Sequence, residues 1–260
     1  MSKTRQPLGQ HWLFDRPTLE AVVKAADLTA DDTVLEVGPG LGTLTELLVA
    51  QAGRVVAVEK DPLLAQALPG RVVAPNLEVV TGDIREYNLT RLPSGYKLAA
   101  NLPYYLTSNL IRTMLESQNP PTVMALMVQK EVAERIVASP PAMSLLALSV
   151  QYYAEPKLIQ IVPKELFAPV PQVDSAILQI KRRPQPVFSA DPKKLWRIWK
   201  AGFGGKRKQL RNSLAAGLAL EPIQVAKLLL SVGQNDSARP QELSLSDWQK
   251  VYAVLSPVLE

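Results

Sequence analysis

The chain has 260 residues, 47% of them apolar, a formal net charge of +5 and no cysteine. That size suits one large domain with a small companion, and the missing cysteines exclude disulfides, iron–sulfur clusters, thiolate zinc sites and cytosine-C5 methylation, which needs a Cys nucleophile. With His11 the single histidine, histidine-based acid–base or metal chemistry has almost nothing to draw on, so no metal is expected.

The opening residues Met1-Ser2-Lys3-Thr4-Arg5-Gln6-Pro7 are polar with no apolar segment behind them, and no apolar run approaches the roughly 20 residues that cross a bilayer. A cytoplasmic protein without a membrane partner is expected. A helix follows near 17–28, with Asp15 as its N-cap and Pro17 in its first turn. Thr33-Val34-Leu35-Glu36-Val37 then reads as a buried strand near 33–38, running into Gly38-Pro39-Gly40-Leu41-Gly42 and a helix near 41–52. Glycines such as Gly38 and Gly40 let the backbone approach a nucleoside-like ligand. A second strand, near 54–59, ends in Glu59, where an acid can accept from both ribose hydroxyls. After a helix near 61–68, the third strand, near 77–82, ends in Gly82-Asp83-Ile84, which places Asp83 to accept from an adenine amino group.

Spacing separates two cofactor classes. A dinucleotide turn reads Gly-x-Gly-x-x-Gly and faces a pyrophosphate, whereas here the glycines fall at 38, 40 and 42 with Glu36 just before them. That pattern suits S-adenosylmethionine, which carries no phosphate and tolerates a nearby carboxylate. The fourth strand, near 97–102, ends in Asn101-Leu102-Pro103-Tyr104. The Asn101 amide oxygen and the backbone carbonyl of Leu102 or Pro103 can each accept from an exocyclic –NH2, and the Tyr104 ring offers a face for a base. The combination points to adenine N6, although the same four residues also serve as an ordinary strand-to-turn exit. A helix near 106–118, a strand near 122–129 and a helix near 130–138 continue the alternation of a doubly wound parallel sheet. The runs Leu158 to Val162 and Ala176 to Lys181 complete it.

These motifs resemble the ribosomal RNA adenine N6,N6-dimethyltransferase family, its bacterial small-subunit branch in particular. The similarity is carried by Leu8-Gly9-Gln10-His11-Trp12-Leu13, Leu35-Glu36-Val37-Gly38-Pro39-Gly40-Leu41-Gly42 and Asn101-Leu102-Pro103-Tyr104, then by Met127 to Arg135, Phe167 to Ala176 and Lys206 to Leu214. It implies an α/β class I S-adenosylmethionine-dependent methyltransferase domain, Rossmann-like and seven-stranded with its last strand antiparallel, over residues 1–184. A small all-helical RNA-binding domain follows over 185–260. It further implies that Gln10, His11, Leu13 and Ile84 join the cofactor site, that Asn101 also touches the cofactor, and that Phe167 covers the second face of a flipped adenine. Three segments depart from the family's usual reading: His11-Trp12 stands where Asn-Phe is common, Tyr105 replaces a smaller polar residue, and Ser139-Pro140-Pro141-Ala142-Met143 replaces a glycine-containing loop.

After Arg183 and Pro184 only short helices are expected, near 192–202, 206–217, 221–231 and 245–255. Eleven basic residues and one acid lie between Lys181 and Arg211, whereas the rest of the chain is net acidic. Lys206, Arg207, Lys208 and Arg211 head the expected RNA contacts, with Trp196, Trp199 and Phe203 interleaved among neighbouring bases; such aromatics are also ordinary core residues. The favoured reading is a monomer that dimethylates two adjacent adenines near the 3′ end of 16S ribosomal RNA, in the small subunit or its precursor, as a step of ribosome biogenesis. A large-subunit adenine methyltransferase, or a ribosome-assembly or transcription-binding protein that keeps the fold without turnover, are the alternatives.

Overall fold

The computed structural model describes residues 11–103, 106–205 and 207–259, so Gln10, Tyr104, Tyr105 and Lys206 lie outside the described residues. The chain divides into two compact units. The first comprises the described residues up to Glu134 together with Glu155–Arg182, and the second comprises Arg135–Ala154 with Arg183 onward.

The first unit is built on a seven-stranded sheet. In chain order its strands are β2 (Thr33–Val37), β3 (Arg54–Glu59), β4 (Leu77–Thr81), β5 (Lys97–Asn101), β6 (Val123–Gln129), β7 (Ala154–Val162) and β9 (Ser175–Arg182), arranged β4-β3-β2-β5-β6-β9-β7. The pairs from β4 to β6 are parallel and β9 runs antiparallel to β6. This is an α/β, Rossmann-like sheet with one antiparallel strand between β6 and β7. Its central strands are runs of buried Val, Leu and Ala because both faces are covered. Helix α1 (Arg16–Ala26) is capped by the Asp15 carboxylate, which accepts from Thr18 N at 3.0 Å, and Pro17 stands in its first turn. Its Leu19, Val22, Val23 and Ala26 pack with Leu44 and Leu48 of α2 (Thr43–Val49) against sheet residues Val34, Val55, Ala99 and Met127. Helices α3 (Pro62–Arg71), α4 (Thr107–Glu116) and α5 (Lys130–Val137) complete the alternation.

Two elements escape a reading by periodicity. Trp12–Leu13 (β1) pairs antiparallel with Phe167–Ala168 (β8) in a two-stranded ribbon too short to show a pattern. Strand β7 starts at Ala154, four residues before the expected run, because Pro156 is tolerated on an edge strand.

The second unit contains α7 (Pro192–Phe203), α8 (Leu210–Leu218), α9 (Pro222–Ser231) and α10 (Leu245–Leu255), and in addition α6 (Leu145–Gln151). Helix α6 follows the Pro140-Pro141 segment and is capped by Ser144, whose hydroxyl accepts from Ala147 N at 3.0 Å. Its Ala147 and Leu148, followed by Tyr152, share a core with Leu195, Ile198, Trp199 and Trp248. This unit therefore takes in Arg135–Ala154 in addition to the expected 185–260 stretch. Helix α8 begins at Leu210, not at 206, which leaves Arg207 and Lys208 exposed ahead of it.

Candidate active site

The C-terminal ends of β2, β3, β4 and β5 open onto one cavity, the place where parallel α/β sheets take ligands. Its wall contains Gly38 and Gly40 from the turn after β2, Glu59 from β3, Asp83 and Ile84 after β4, and Asn101, Leu102 and Pro103 from β5, with His11 and Leu13 beside them. Residues as far apart in the chain as His11 and Leu106 reach the same wall only because the parallel order brings these strand ends together.

The glycine turn needs its glycines. Gly40 has φ +57°, and a Cβ there would stand 2.1 Å from the Trp12 ring. Trp12 thus lies against the turn and on the cavity wall, a contact that the sequence could not show because it joins β1 to a loop some thirty residues on. Gly42, at φ +90°, starts α2. Glu59 stitches the turn from the next strand: its Oε2 accepts from Gly40 N at 3.0 Å and its Oε1 from Asp61 N at 2.9 Å.

The segment carrying β1 is tied down at three points. His11 Nδ1 donates to Pro169 O at 2.7 Å, Thr43 Oγ1 donates to Leu13 O at 3.2 Å, and Asn101 Nδ2 donates to His11 O at 3.3 Å. The last bond anchors the NH2 end of the Asn101 amide and leaves its oxygen as the end that can accept from a substrate amine. The Pro103 carbonyl accepts from Leu106 N at 3.0 Å as the chain turns toward α4.

The charges divide into two kinds. Asp83 is saturated by cations: Oδ2 meets Lys60 Nζ at 3.0 Å and Arg85 at 2.6 Å, and Oδ1 accepts from Arg85 N at 3.0 Å. Arg85 above all, with Lys60 in support, holds its carboxyl far below the usual carboxylate range. Glu36 is the opposite case. It is 1% exposed in a central strand, and its Oε2 has no hydrogen-bond partner among the described residues. Burial, opposed by the Thr45 hydroxyl and reinforced by the negative charge of Glu59, pushes it up to about 8.

Comparison with known proteins agrees with this geometry. Residues 1–255 match the family described as ribosomal RNA adenine dimethylase. The chain belongs to that family. A relative in Dehalococcoides mccartyi named ribosomal RNA small subunit methyltransferase A is 43% identical over 260 residues, covering 97% of this chain and 88% of that protein. The crystal structure of the 23S rRNA methyltransferase ErmE superposes with a TM-score of 0.77 at 28% identity, covering 94% of this chain and 99% of that one. A dimethyladenosine transferase from Plasmodium falciparum shares the fold, with a TM-score of 0.84 at 24% identity, covering 95% and 98% of the two chains.

Within this family member, two expectations change. Phe167 does not reach the cavity wall: it is 3% exposed, stands opposite Leu13 in the β1–β8 ribbon and packs in the core with Leu13, Leu19 and Ile177. In this arrangement its ring is turned toward the core beside β1 and is not presented to the cavity. Of the interleaved aromatics of the basic segment, Trp199 is core at 2% exposed, whereas Trp196 and Phe203 are partly buried against that core, Phe203 stacking on Trp248 with ring centroids 5.7 Å apart. Of the expected basic contacts, Arg211 is paired with Asp236 at 2.6 Å, while Arg207 and Lys208 are exposed. Wall residues that sequence reasoning did not assign a role include Trp12, Thr43 and Lys60; Lys60 has no local signal, since its partner Asp83 arrives from another strand. Among the described residues no cluster of His, Asp or Glu is arranged to hold a metal ion, and no helix is long and apolar enough to cross a membrane.

Proposed function

We propose that this chain transfers methyl groups from S-adenosylmethionine to N6 of two adjacent adenines near the 3′ end of 16S ribosomal RNA, acting in the cytoplasm as a monomer on the small subunit or its precursor. The observation that carries this reading is the anchored Asn101 amide at the mouth of an acid-walled cavity. A dinucleotide fits that turn poorly, because its glycines fall at 38, 40 and 42 and not in the Gly-x-Gly-x-x-Gly spacing that faces a pyrophosphate. A nucleoside with a cationic tail fits: Glu59 supplies acceptors for ribose hydroxyls, Asp83 for an adenine amino group, and Gly38 and Gly40 give the backbone room. When bound, S-adenosylmethionine supplies the electrophilic sulfonium methyl.

The chain's own contribution is positional. The N6 lone pair of adenine is delocalised into the ring and is a weak nucleophile. Accepting one N6 hydrogen at Asn101 Oδ1 and the other at a backbone carbonyl favours a more tetrahedral nitrogen aimed at the methyl. The Leu102 carbonyl takes the second role, since Pro103 O already accepts from Leu106 N. No strong general base is required, because the alkylated ammonium product is itself acidic. The adenine must leave its stack to arrive, and Tyr104, outside the described residues, remains the proposed stacking face.

Incubating the protein and S-adenosylmethionine with immature small subunits, then mapping N6-methyl groups by mass spectrometry, tests the substrate. Two adjacent dimethyladenosines in 16S RNA are expected. Methylation confined to large-subunit RNA would instead assign the chain to the large-subunit adenine methyltransferases, and no methylation would leave the assembly-factor reading.

The second unit is assigned to RNA phosphate through its basic segment, with Lys206 retained from the sequence reading. Because Arg211 is engaged by Asp236, the informative pair is Arg207 and Lys208. Replacing both with Gln should flatten the salt dependence of subunit binding by up to about 0.9 log units per lost duplex phosphate contact, or about 0.7 for single-stranded RNA. Binding measured across a salt series checks this, and an unchanged slope would make them solvated surface residues.

A further inference from the structure

We propose that S-adenosylmethionine binding is coupled to the release of one proton from Glu36, whose carboxylate then neutralises the cationic end of the ligand. The inference rests on the cofactor reading above and extends it to the protonation state of the site. Glu36 lines the cavity at 1% exposure, with an oxygen that no described group satisfies. Its sheet neighbours, Ala57 on β3 and Ala99 on β5, bring no polar side chain.

Among the described residues, the charged groups of the cavity offer it no cation. Glu59 adds a second acid and is held by Gly40 N and Asp61 N; Lys60 is closed on Asp83, which also carries Arg85. His11 donates to Pro169 O from the strap, and Thr45, on α2, is uncharged. A buried carboxyl in such surroundings takes a proton, in line with its upward shift to about 8. A sulfonium or ammonium arriving in the cavity reverses the balance: the neutral carboxyl gives its proton to the buffer and the resulting carboxylate pairs with the cation, so charge and atoms are conserved. Because the ligand selects the deprotonated form, its affinity rises with pH up to about 8 and levels off above.

Isothermal calorimetry at pH 6.5 in two buffers of different ionisation enthalpy counts the protons directly. At that pH the α-amino group of the ligand, near 7.7–8.0 in model compounds, stays charged and adds little to the count. About one proton released per ligand bound is expected for the parent, and close to none for Glu36→Gln. Between pH 6 and pH 7 the parent's affinity should rise roughly tenfold, the slope of a single linked proton, and that of Glu36→Gln should stay flat. If Glu36→Gln does not fold, Glu36→Met, which fills the site without a polar atom, replaces it, and the parent's count and slope are read regardless. Binding without proton release overturns the coupling alone. Absence of any binding removes the cofactor reading and the coupling with it.

Discussion

Asn101→Ala is expected to lower single-turnover methylation by at least about 10²-fold while leaving affinity for the ribosomal subunit nearly unchanged, the usual size of effect when one preorganised hydrogen-bonding group is removed from a reacting centre. The separation follows from geometry. Asn101 stands at the end of β5 on the cavity wall, while RNA affinity is assigned to phosphate contacts spread over the basic segment. The structure adds a second route to the same loss: the Asn101 amide donates to His11 O, so its removal also loosens the β1 strap that Trp12 presses onto the glycine turn. Rapid-quench measurement on folded Asn101→Ala, beside a subunit-binding titration, reads both quantities. A parental single-turnover rate would refute the mechanism.

Glu59→Ala should weaken S-adenosylmethionine binding by about 1.5–3 kcal/mol, the cost of a lost hydrogen bond to a charged group, which calorimetry would read as roughly 10- to 150-fold in Kd. The upper part of that range is expected, because Glu59 also holds Gly40 N and Asp61 N and so shapes the turn against which the ligand packs. Asp83→Ala should cost less. Its two oxygens already serve Lys60 and Arg85, so a ligand amino group gains only a shared acceptor, and the released cations stay solvated on exposed side chains. Unchanged affinity in both variants would remove the cofactor assignment.

The limits of legibility lie in particular residues. Glu36, the glycines, Glu59, Asp83 and Asn101 were readable as a set because each falls at the end of an apolar run, and strand ends of a parallel sheet converge. The helix at 145–151 was not, since its seven residues, apolar but for Ser149 and Gln151, span only about two turns, too few to show a 3.6-residue period. The packing of Phe167 was hidden for a related reason. Its motif fixes its neighbours along the chain, but the pairing of β8 with β1 turns its ring into the core.

By itself, then, the sequence determined the main alternation of strands and helices in the first unit, the glycine turn, the acids at successive strand ends and the concentration of positive charge over 181–211, because hydrophobic period, turn chemistry and charge are local properties. Only the tertiary structure decided which side chains spend their capacity on each other. Arg211 is committed to Asp236, Asp83 to Lys60 and Arg85, and Trp12 to Gly40, while Glu36 is left buried with one oxygen that no described residue satisfies. Hydrogen bonds, ion pairs and desolvation depend on distances between residues far apart in the chain, and those distances exist only once the sheet has closed.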